Sequence, residues 1–395
     1  VADDPAARTW DRPAGAPDDA ELHVLAETNT DPAIGTHEVP SLADAVFTWD
    51  YAKGRRPQLA RLYEKAKVSM WNAETDLPWE IEVDQERLAE AAVGGGGSVI
   101  DWSGTPVAHW GRPEWLRFAI ESDNWMLSQF LHGEQGALLC TAKIVETVPW
   151  ADAKYYAATQ VMDEARHVEV FTRYLDKLSG RYPVNRHLEA LLDDILRDRR
   201  WDLTYLGMQI MVEGLALASF GLMAQVTSEP LLQQLLRYVM ADEARHVAFG
   251  VLSLREAYAG MTGAELRERQ EFAYEAAVRM RDRLLQQEVW ERLGVPPEVV
   301  VPRILRSPER IEFQRLLFGK IVPNCRKLGL LDANDGWLRH RFEELGVMDF
   351  DHDEPGEPDE RASEVEPSEP VVGPTPAQSS GPSRPGPVVR GCPEV

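Results

Sequence analysis

The chain has 395 residues, 44% hydrophobic and 27% charged, enough for one large or two ordinary domains with a buried core. Its formal charge of −23, from 42 Lys and Arg against 65 Asp and Glu, argues against nucleic acid or an anionic membrane as partner. No run approaches the roughly 18 consecutive apolar residues of a spanning helix, no charged-then-apolar leader opens the chain, and Cys140, Cys325 and Cys392 form no CxxC pair. A disulfide framework and a cysteine zinc site are thereby excluded, and a soluble, cytoplasmic protein is expected.

Residues 1–40, rich in Asp, Pro and Ala, read as an arm lying on the surface or partly disordered. Residues 41–350 read as one helical domain. Apolar residues at helical spacing predict helices near 42–53, 57–72, 114–147, 151–178, 198–226, 230–259, 263–293 and 307–328. Leu127, Leu131, Leu138 and Ile144 carry one such pattern, and Leu206, Ile210, Leu217 and Phe220 another. Gly94-Gly95-Gly96-Gly97 reads as a linker, since the Gly-Lys-Ser/Thr of a phosphate loop does not follow it. Few stretches alternate with period two, so the fold class is all-α, with a four-helix core over about 114–259. Residues 351–395 hold ten prolines, ten acidic residues and no aromatic residue, and read as a disordered acidic tail.

The chemistry sits in a repeated hexapeptide. Asp163-Glu164-Ala165-Arg166-His167-Val168 recurs as Asp242-Glu243-Ala244-Arg245-His246-Val247, displaced by 79 residues. The same displacement pairs Glu134 with Glu213, each 30 residues before the glutamate of its motif. Duplication of a helical hairpin accounts for both regularities. Pro149 stands midway between Glu134 and Glu164, where a proline ends one helix and starts the next. Roughly fifteen residues up at about 1.5 Å each, and as many down, return the chain to its starting height, so the two glutamates should face each other. The second midpoint is Ser228, in Thr227-Ser228-Glu229-Pro230, which reads as a capping serine followed by a proline in the first turn.

Glutamate and histidine at i and i+3 leave one helical face, so four glutamates and two histidines converge inside a bundle. Their neighbours along those faces are apolar. Four buried carboxylates without compensating charge would take up protons instead, whereas two divalent cations balance them. Carboxylate oxygens with one imidazole per ion suit iron or manganese, and the missing thiolate disfavours structural zinc. The expected cofactor is two iron ions, Fe/Fe, with Mn/Fe as the alternative. Glu164 and Glu243 are expected to bridge them, Glu134 and His167 to complete one ion, Glu213 and His246 the other. Open coordination positions are left for dioxygen. A lone Glu-x-x-His usually belongs to a solvated helix face; two identical copies with matched upstream glutamates reverse that reading.

Metal-bound histidines need an acceptor for the second ring nitrogen, and Asp163 and Asp242, each held by Arg166 or Arg245, are natural candidates. Candidate substrate-pocket residues are Ala137, Thr141, Phe171, Ile210, Leu217 and Phe220. Gly133, Gly136 and Gly214 flank the upstream glutamates and imply tight helix contact, space for a ligand, or a local helix bulge. Met208, Met211, Met223 and Trp125 read as core packing, Cys140 as a buried thiol, and His132 as a histidine on another face than Glu134.

The paired motifs resemble the Asp-Glu-x-Arg-His motifs of bacterial multicomponent monooxygenase hydroxylases. Over about residues 42–330 the chain is similar to the ferritin-like superfamily of carboxylate-bridged di-iron proteins, on the oxygenase and ribonucleotide reductase small-subunit side. Leu62-Tyr63-Glu64-Lys65-Ala66-Lys67, with Trp71-Asn72-Ala73-Glu74-Thr75-Asp76-Leu77-Pro78-Trp79, resembles the leading segment of these proteins. The resemblance implies that the aspartate of each motif hydrogen-bonds the histidine of the other, pairing Asp163 with His246 and Asp242 with His167. Departures narrow the choice. Phe171 stands where the reductase small subunits keep a radical tyrosine, and the tail lacks their docking tyrosine. The ligand-binding oxidases crosslink a valine and a tyrosine where this chain has Ala137 and Met208. Arylamine N-oxygenases add a histidine at the position of Val239, and methane and toluene hydroxylases a threonine at that of Leu217.

The expected activity is that of a di-iron oxygenase, which activates dioxygen and hydroxylates or otherwise oxidises a small organic substrate. No flavin or nicotinamide motif is visible, so electrons are expected from a separate reductase or ferredoxin; a homodimer is a further expectation. The alternatives are a ferroxidase or iron-storage protein, a reductase-small-subunit-like oxidase, and a non-catalytic scaffold that keeps metal for stability.

Overall fold

The structure is a computed structural model, and it describes residues 17–30, 36–41, 43–94 and 100–348. The expected tail at 351–395, much of the expected arm, and all but the first glycine of the linker lie outside the described residues. Among the described residues all regular structure is helical.

Three short helices come first: α1 (Asp19–Leu25), α2 (Pro57–Val68) and α3 (Gln85–Gly94). The core is two hairpins. The first joins α4 (Arg112–Thr147) to α5 (Ala151–Leu175). After α6 (Arg186–Arg197), the second runs through α7 (Trp201–Tyr205), a π-helical stretch (Leu206–Val212) and α8 (Glu213–Val226), then returns along α9 (Pro230–Tyr258). Six further helices follow: α10 (Gly263–Asp282), α11 (Gln287–Arg292), α12 (Pro297–Ile304), α13 (Pro308–Phe318), α14 (Ile321–Lys327) and α15 (Ala333–Leu345). Of these, α10, α13 and α14 pack on the second hairpin, while α12 receives α1.

The helix ends follow local chemistry. The backbone N–H of Gly111 donates to Glu114 Oε2 at 2.9 Å and Pro113 sits in the first turn, fixing the start of α4. Val148 and Pro149 end it, and α5 starts directly after Trp150. For α9 the cap is Glu229 rather than the expected Ser228: its carboxylate accepts from the N–H groups of Leu231 (3.0 Å) and Leu232 (2.6 Å). The longer side chain also takes the Tyr174 hydroxyl at 3.0 Å, which ties the cap to α5.

Trp150, at the turn of the first hairpin, meets Trp201, at the start of α7, with ring centroids 5.2 Å apart. The closed end of one hairpin therefore lies beside the open end of the other, as a four-helix core with two equivalent halves requires. Toward the Trp150 end the interior is built from Ile144, Tyr156, Tyr205, Met208 and Phe249; toward Glu229 it is built from Phe130, Phe171, Phe220, Leu235 and Val239. By length and composition Trp201–Val226 is apolar enough to cross a bilayer, but 72% of its most apolar window is buried inside the bundle, so it serves as the core helix.

Several sequence expectations differ from the structure. No helix occupies the described part of 42–53: the chain is extended, with Val46 N–H on Glu146 O and Thr48 Oγ1 on Pro149 O, both 2.9 Å. Its run of β-branched and aromatic residues suits extended chain, and Phe47, Trp49 and Tyr51 alternate outward. The expected 263–293 helix breaks at Gln286, whose φ of 56° is left-handed, and 307–328 divides at Gly319–Lys320. Helix α6, not expected, lies against Gly136, where a Cβ would come within 2.4 Å of Leu192. Part of the arm is ordered as α1, capped by Asp18, with Leu22 and Leu25 buried on Leu285 and Val301.

Candidate metal centre

Glu134 on α4, Glu164 and His167 on α5, Glu213 at the start of α8, and Glu243 and His246 on α9 come together midway along the bundle, between 0% and 5% exposed. Glu134, Glu164, His167 and Glu243 form one group whose potential ligand atoms lie within 4.8 Å of one another; Glu164, Glu213 and His246 form a second. Glu164 belongs to both. Nδ1 of His167 lies 3.2 Å from Glu134 and from Glu243 and 3.4 Å from Glu164. Nδ1 of His246 lies 3.2 Å from Glu164, 3.4 Å from Glu243 and 3.9 Å from Glu213. Glu164 and Glu243 thus stand between the histidines, and Glu134 and Glu213 stand outside them.

Each histidine turns its other nitrogen to the opposite motif. His167 Nε2 faces Asp242 Oδ2 at 3.2 Å, and His246 Nε2 faces Asp163 Oδ2 at 3.3 Å. Arg166 binds Asp163 at 2.5 Å and reaches Asp242 at 3.3 Å, while Arg245 binds Asp242. Two aspartates and two arginines cancel in charge, which leaves the four glutamates to be neutralised by something else.

Protonation shows the strain of four buried carboxylates. Burial, with Glu243 beside it, raises Glu134 to about 8, and burial drives Glu213 upward too. Burial also pushes on Glu243, but His246 and His167 outweigh it and hold that carboxyl at about 2. Burial drives both histidines down, but the surrounding carboxylates together outweigh it and raise them, Glu134 and Asp242 foremost for His167 and Glu164 and Glu243 for His246. Oε2 of Glu164, Glu213 and Glu243, together with His246 Nδ1, have no hydrogen-bond partner among the described residues. Hard oxygen donors, one imidazole per group and buried lone pairs without donors fit two divalent cations of the iron or manganese type.

Sequence reading missed two residues here. Gln160, fully buried one turn before Glu164, donates through Nε2 to Glu164 Oε1 at 2.9 Å and Glu213 Oε1 at 2.8 Å. Its signal was a polar residue on an apolar stripe, at i−4 from a motif glutamate. Trp71, noticed only within a resembling segment, donates from Nε1 to Asp242 Oδ2 at 2.8 Å.

The candidate pocket residues lie on both sides of the ligand cluster. Ala137 and Ile210 belong to the Trp150 side of the core, and Phe171 and Phe220 to the Glu229 side, rings 5.6 Å apart. Thr141 is fully buried, and Leu217 is half-buried outside both clusters. His132 is half-buried, with Nε2 on Tyr182 O at 2.9 Å. Cys140 is a buried thiol pushed upward by burial. Among the flanking glycines, Gly136 marks close helix contact, a Cβ on Gly214 would lie 3.3 Å from Ile321, and one on Gly133 would meet nothing within 4 Å. The helix bulge is the π stretch directly before Glu213.

The helical core thus carries a buried cluster of carboxylates and imidazoles able to hold metal ions, and the chain is similar in part to a known enzyme family. More particularly, residues 139–329 match the family model of P-aminobenzoate N-oxygenase AurF, a span that contains the whole constellation except Glu134. Val239, fully buried, stands where the resemblance to arylamine N-oxygenases implies an added histidine. Among solved structures, the chain is similar to a variant of an R2-like ligand-binding oxidase with anaerobically reconstituted Mn/Fe cofactor. That match has 18% identity and a TM-score of 0.43, over 70% of this chain and 94% of the other. A second R2-like ligand-binding oxidase, with aerobically reconstituted metal cofactor after photoconversion, matches at 17% identity and a TM-score of 0.39, over 78% and 98%. A search of curated proteins returns no match.

Proposed function

We propose that this protein is an oxygenase that uses dioxygen and two iron ions to oxidise a small organic substrate, with Mn/Fe as the alternative metal pair. The observation that carries the reading is the buried cluster of four glutamates and two histidines, three of whose carboxylate oxygens have no donor among the described residues. In it, Glu134, Glu164, His167 and Glu243 would hold one ion, and Glu164, Glu213 and His246 the other. When bound, the metal pair supplies electrons to dioxygen and the oxidising power for the substrate. The protein does the rest. Asp163 and Asp242 hold the histidine Nε2 atoms so that Nδ1 faces inward, Arg166 and Arg245 pair with those aspartates, and burial excludes bulk water. The AurF match adds an amine nitrogen to the candidate oxidation sites. Electrons from a separate reductase or ferredoxin, a cytoplasmic setting and a homodimeric assembly complete the proposal.

The test is anaerobic loading with ferrous iron, metal analysis, then exposure to dioxygen with a panel of small aromatic amines, phenols and aliphatic compounds. Two irons per chain and oxygen uptake coupled to product support the reading. Zinc alone, inert to dioxygen, or iron turnover with no organic product would defeat it.

A further inference from the structure

The two halves of the bundle interior differ in kind. Toward Glu229 the centre abuts the rings of Phe130, Phe171 and Phe220. Toward Trp150 lie buried polar side chains: Gln160 Oε1, both amide atoms of Gln209 and the Tyr156 hydroxyl, which lack partners among the described residues, and the hydroxyls of Tyr205 and Ser253, which face each other.

Their chain positions form a register. Counted from Glu164, Gln160 and Tyr156 lie four and eight residues along α5. Counted from Glu213, Gln209 and Tyr205 lie four and eight residues back along the π stretch and α7. Ser253 lies seven residues beyond His246 on α9. At about 1.5 Å per residue, two tiers of polar groups stand roughly 6 and 12 Å above the ligands, the register being slightly compressed along the π stretch. Contacts between the elements agree. Gln209 packs on α9 at Gly250, Tyr156 and Tyr205 both rest on Phe249 (4.4 and 5.0 Å between centroids), and Ser253 lies beside the Tyr205 hydroxyl.

A third tier leads outward. Tyr258 on α9 lies in the field of Asp202 and Arg269, whose ion pair (2.9 Å) is itself nearly buried. Arg269 also reaches Glu268 at 3.1 Å, which pairs with Arg200 at 2.5 Å, and both outer residues are solvent-exposed on a charged cleft of about 790 Å³. An unpartnered buried hydroxyl or amide is costly, and so many in one region are tolerated where ordered water completes their hydrogen bonds. Burial holds Tyr156, Tyr205 and Tyr258 far above the ordinary phenol range, so each stays a neutral hydroxyl that donates and accepts together.

We propose that Gln160, Gln209, Tyr156, Tyr205 and Ser253, joined by ordered water, form a proton-delivery file from the Asp202–Arg269 pair to the metal centre. This rests on the oxygenase reading. Inserting one atom of dioxygen into a substrate releases the other as water and consumes two electrons and two protons; the electrons come from the external reductant and the protons from solvent. Glu164 and Glu213 are sealed from solvent, and Gln160 touches both. The file residues are positioning residues: protons pass by hydrogen-bond exchange along hydroxyls and water, with no bond to carbon made or broken.

The test has two arms. A crystal structure of the metal-free protein, at a resolution that shows solvent, is expected to place water on Gln209, Tyr205 and Ser253. In metal-loaded protein, Ser253→Ala and Gln209→Leu are expected to lower kcat about tenfold or more and enlarge the solvent deuterium isotope effect, with KM for the organic substrate unchanged and Ser253→Thr restoring the rate. A dry interior, together with a higher Tm for Tyr205→Phe, overturns the file. A rise in KM in place of the kcat loss assigns these groups to substrate binding and overturns it too. The first arm needs no turnover, so its failure is separable from failure of the oxygenase reading.

Discussion

Trp71 Nε1 donates to Asp242 Oδ2 at 2.8 Å, and Asp242 in turn faces His167 Nε2 at 3.2 Å, so a loop ahead of the bundle holds a group of the metal centre. The ring is kept in place by stacking on Tyr238, centroids 4.9 Å apart. Trp71→Phe preserves much of that stacking and removes the donor. Leaving a buried carboxylate short of one hydrogen bond costs about 1–3 kcal/mol. Urea unfolding of the metal-free variant should show a loss of that size, and chelator competition a weaker hold on metal; unchanged values for both would show that the contact is incidental.

The cross-pairing of motifs makes a directional prediction. Asp163 faces His246, not the histidine of its own motif. Asp163→Asn should therefore weaken the ion assigned to Glu213 and His246 by about 10- to 100-fold and affect the other less. Anomalous scattering at each position reads the two occupancies separately. Equal loss at both sites would mean that the aspartates act only through the shared arginines.

Ligand sharing predicts unequal losses as well. Glu164 belongs to both candidate groups, whereas Glu213 joins only the group of His246. Glu164→Ala should abolish binding of both ions, and Glu213→Ala should leave one. Metal counts per folded chain, with circular dichroism to confirm folding, distinguish this from a site in which every carboxylate is equivalent.

Much of this centre was legible in the sequence because its determinants are local. A six-residue repeat and a fixed offset of 30 position side chains through helix pitch alone, and the structure brings all six side chains together. What could not be read depends on contacts between distant segments. Gln160 acquires meaning only when Glu213, 53 residues away, comes within 2.8 Å of it. The extended path around Thr48 is set by Pro149 O, 101 residues away, against an apolar pattern that suggested a helix. The π stretch meets α9 where Gly250 backs onto Gln209, a contact between separate segments that no single-helix period encodes.

His187 gives a pH prediction remote from the metal centre. It is 6% exposed, and burial lowers its pKa below the ordinary 6.5 despite the opposing pull of Asp282 and Glu27. The unfolded chain therefore binds its proton at a higher pH than the folded protein. Stability falls as pH drops through about 6.5 and levels off once the folded-state value is passed, by about 1.4 kcal/mol for each unit of depression. His187→Gln should flatten this part of the curve. Unfolding of both proteins at pH 7.5 and 5.5 checks it, since the difference between the curves isolates this residue; parallel curves would refute the assignment.

Gly250 tests whether the close contact between α9 and the π stretch shapes the metal centre. A Cβ there would lie 2.5 Å from Gln209 Cβ and 3.3 Å from Ile210 Cδ1. The nearer atom is fixed to the backbone, so a methyl group cannot be accommodated by rotating a side chain; α9 and the π stretch must separate. Overpacking of this kind costs about 1–3 kcal/mol. Gly250 lies one turn beyond His246 and Gln209 one turn before Glu213, and His246 Nδ1 is already 3.9 Å from Glu213. Gly250→Ala should therefore lower stability and also empty preferentially the ion assigned to His246 and Glu213. Gly260→Ala, where nothing lies within 4 Å, serves as the control and should do neither. Loss of stability with both metals retained would show that the contact supports the fold without setting the ligand geometry.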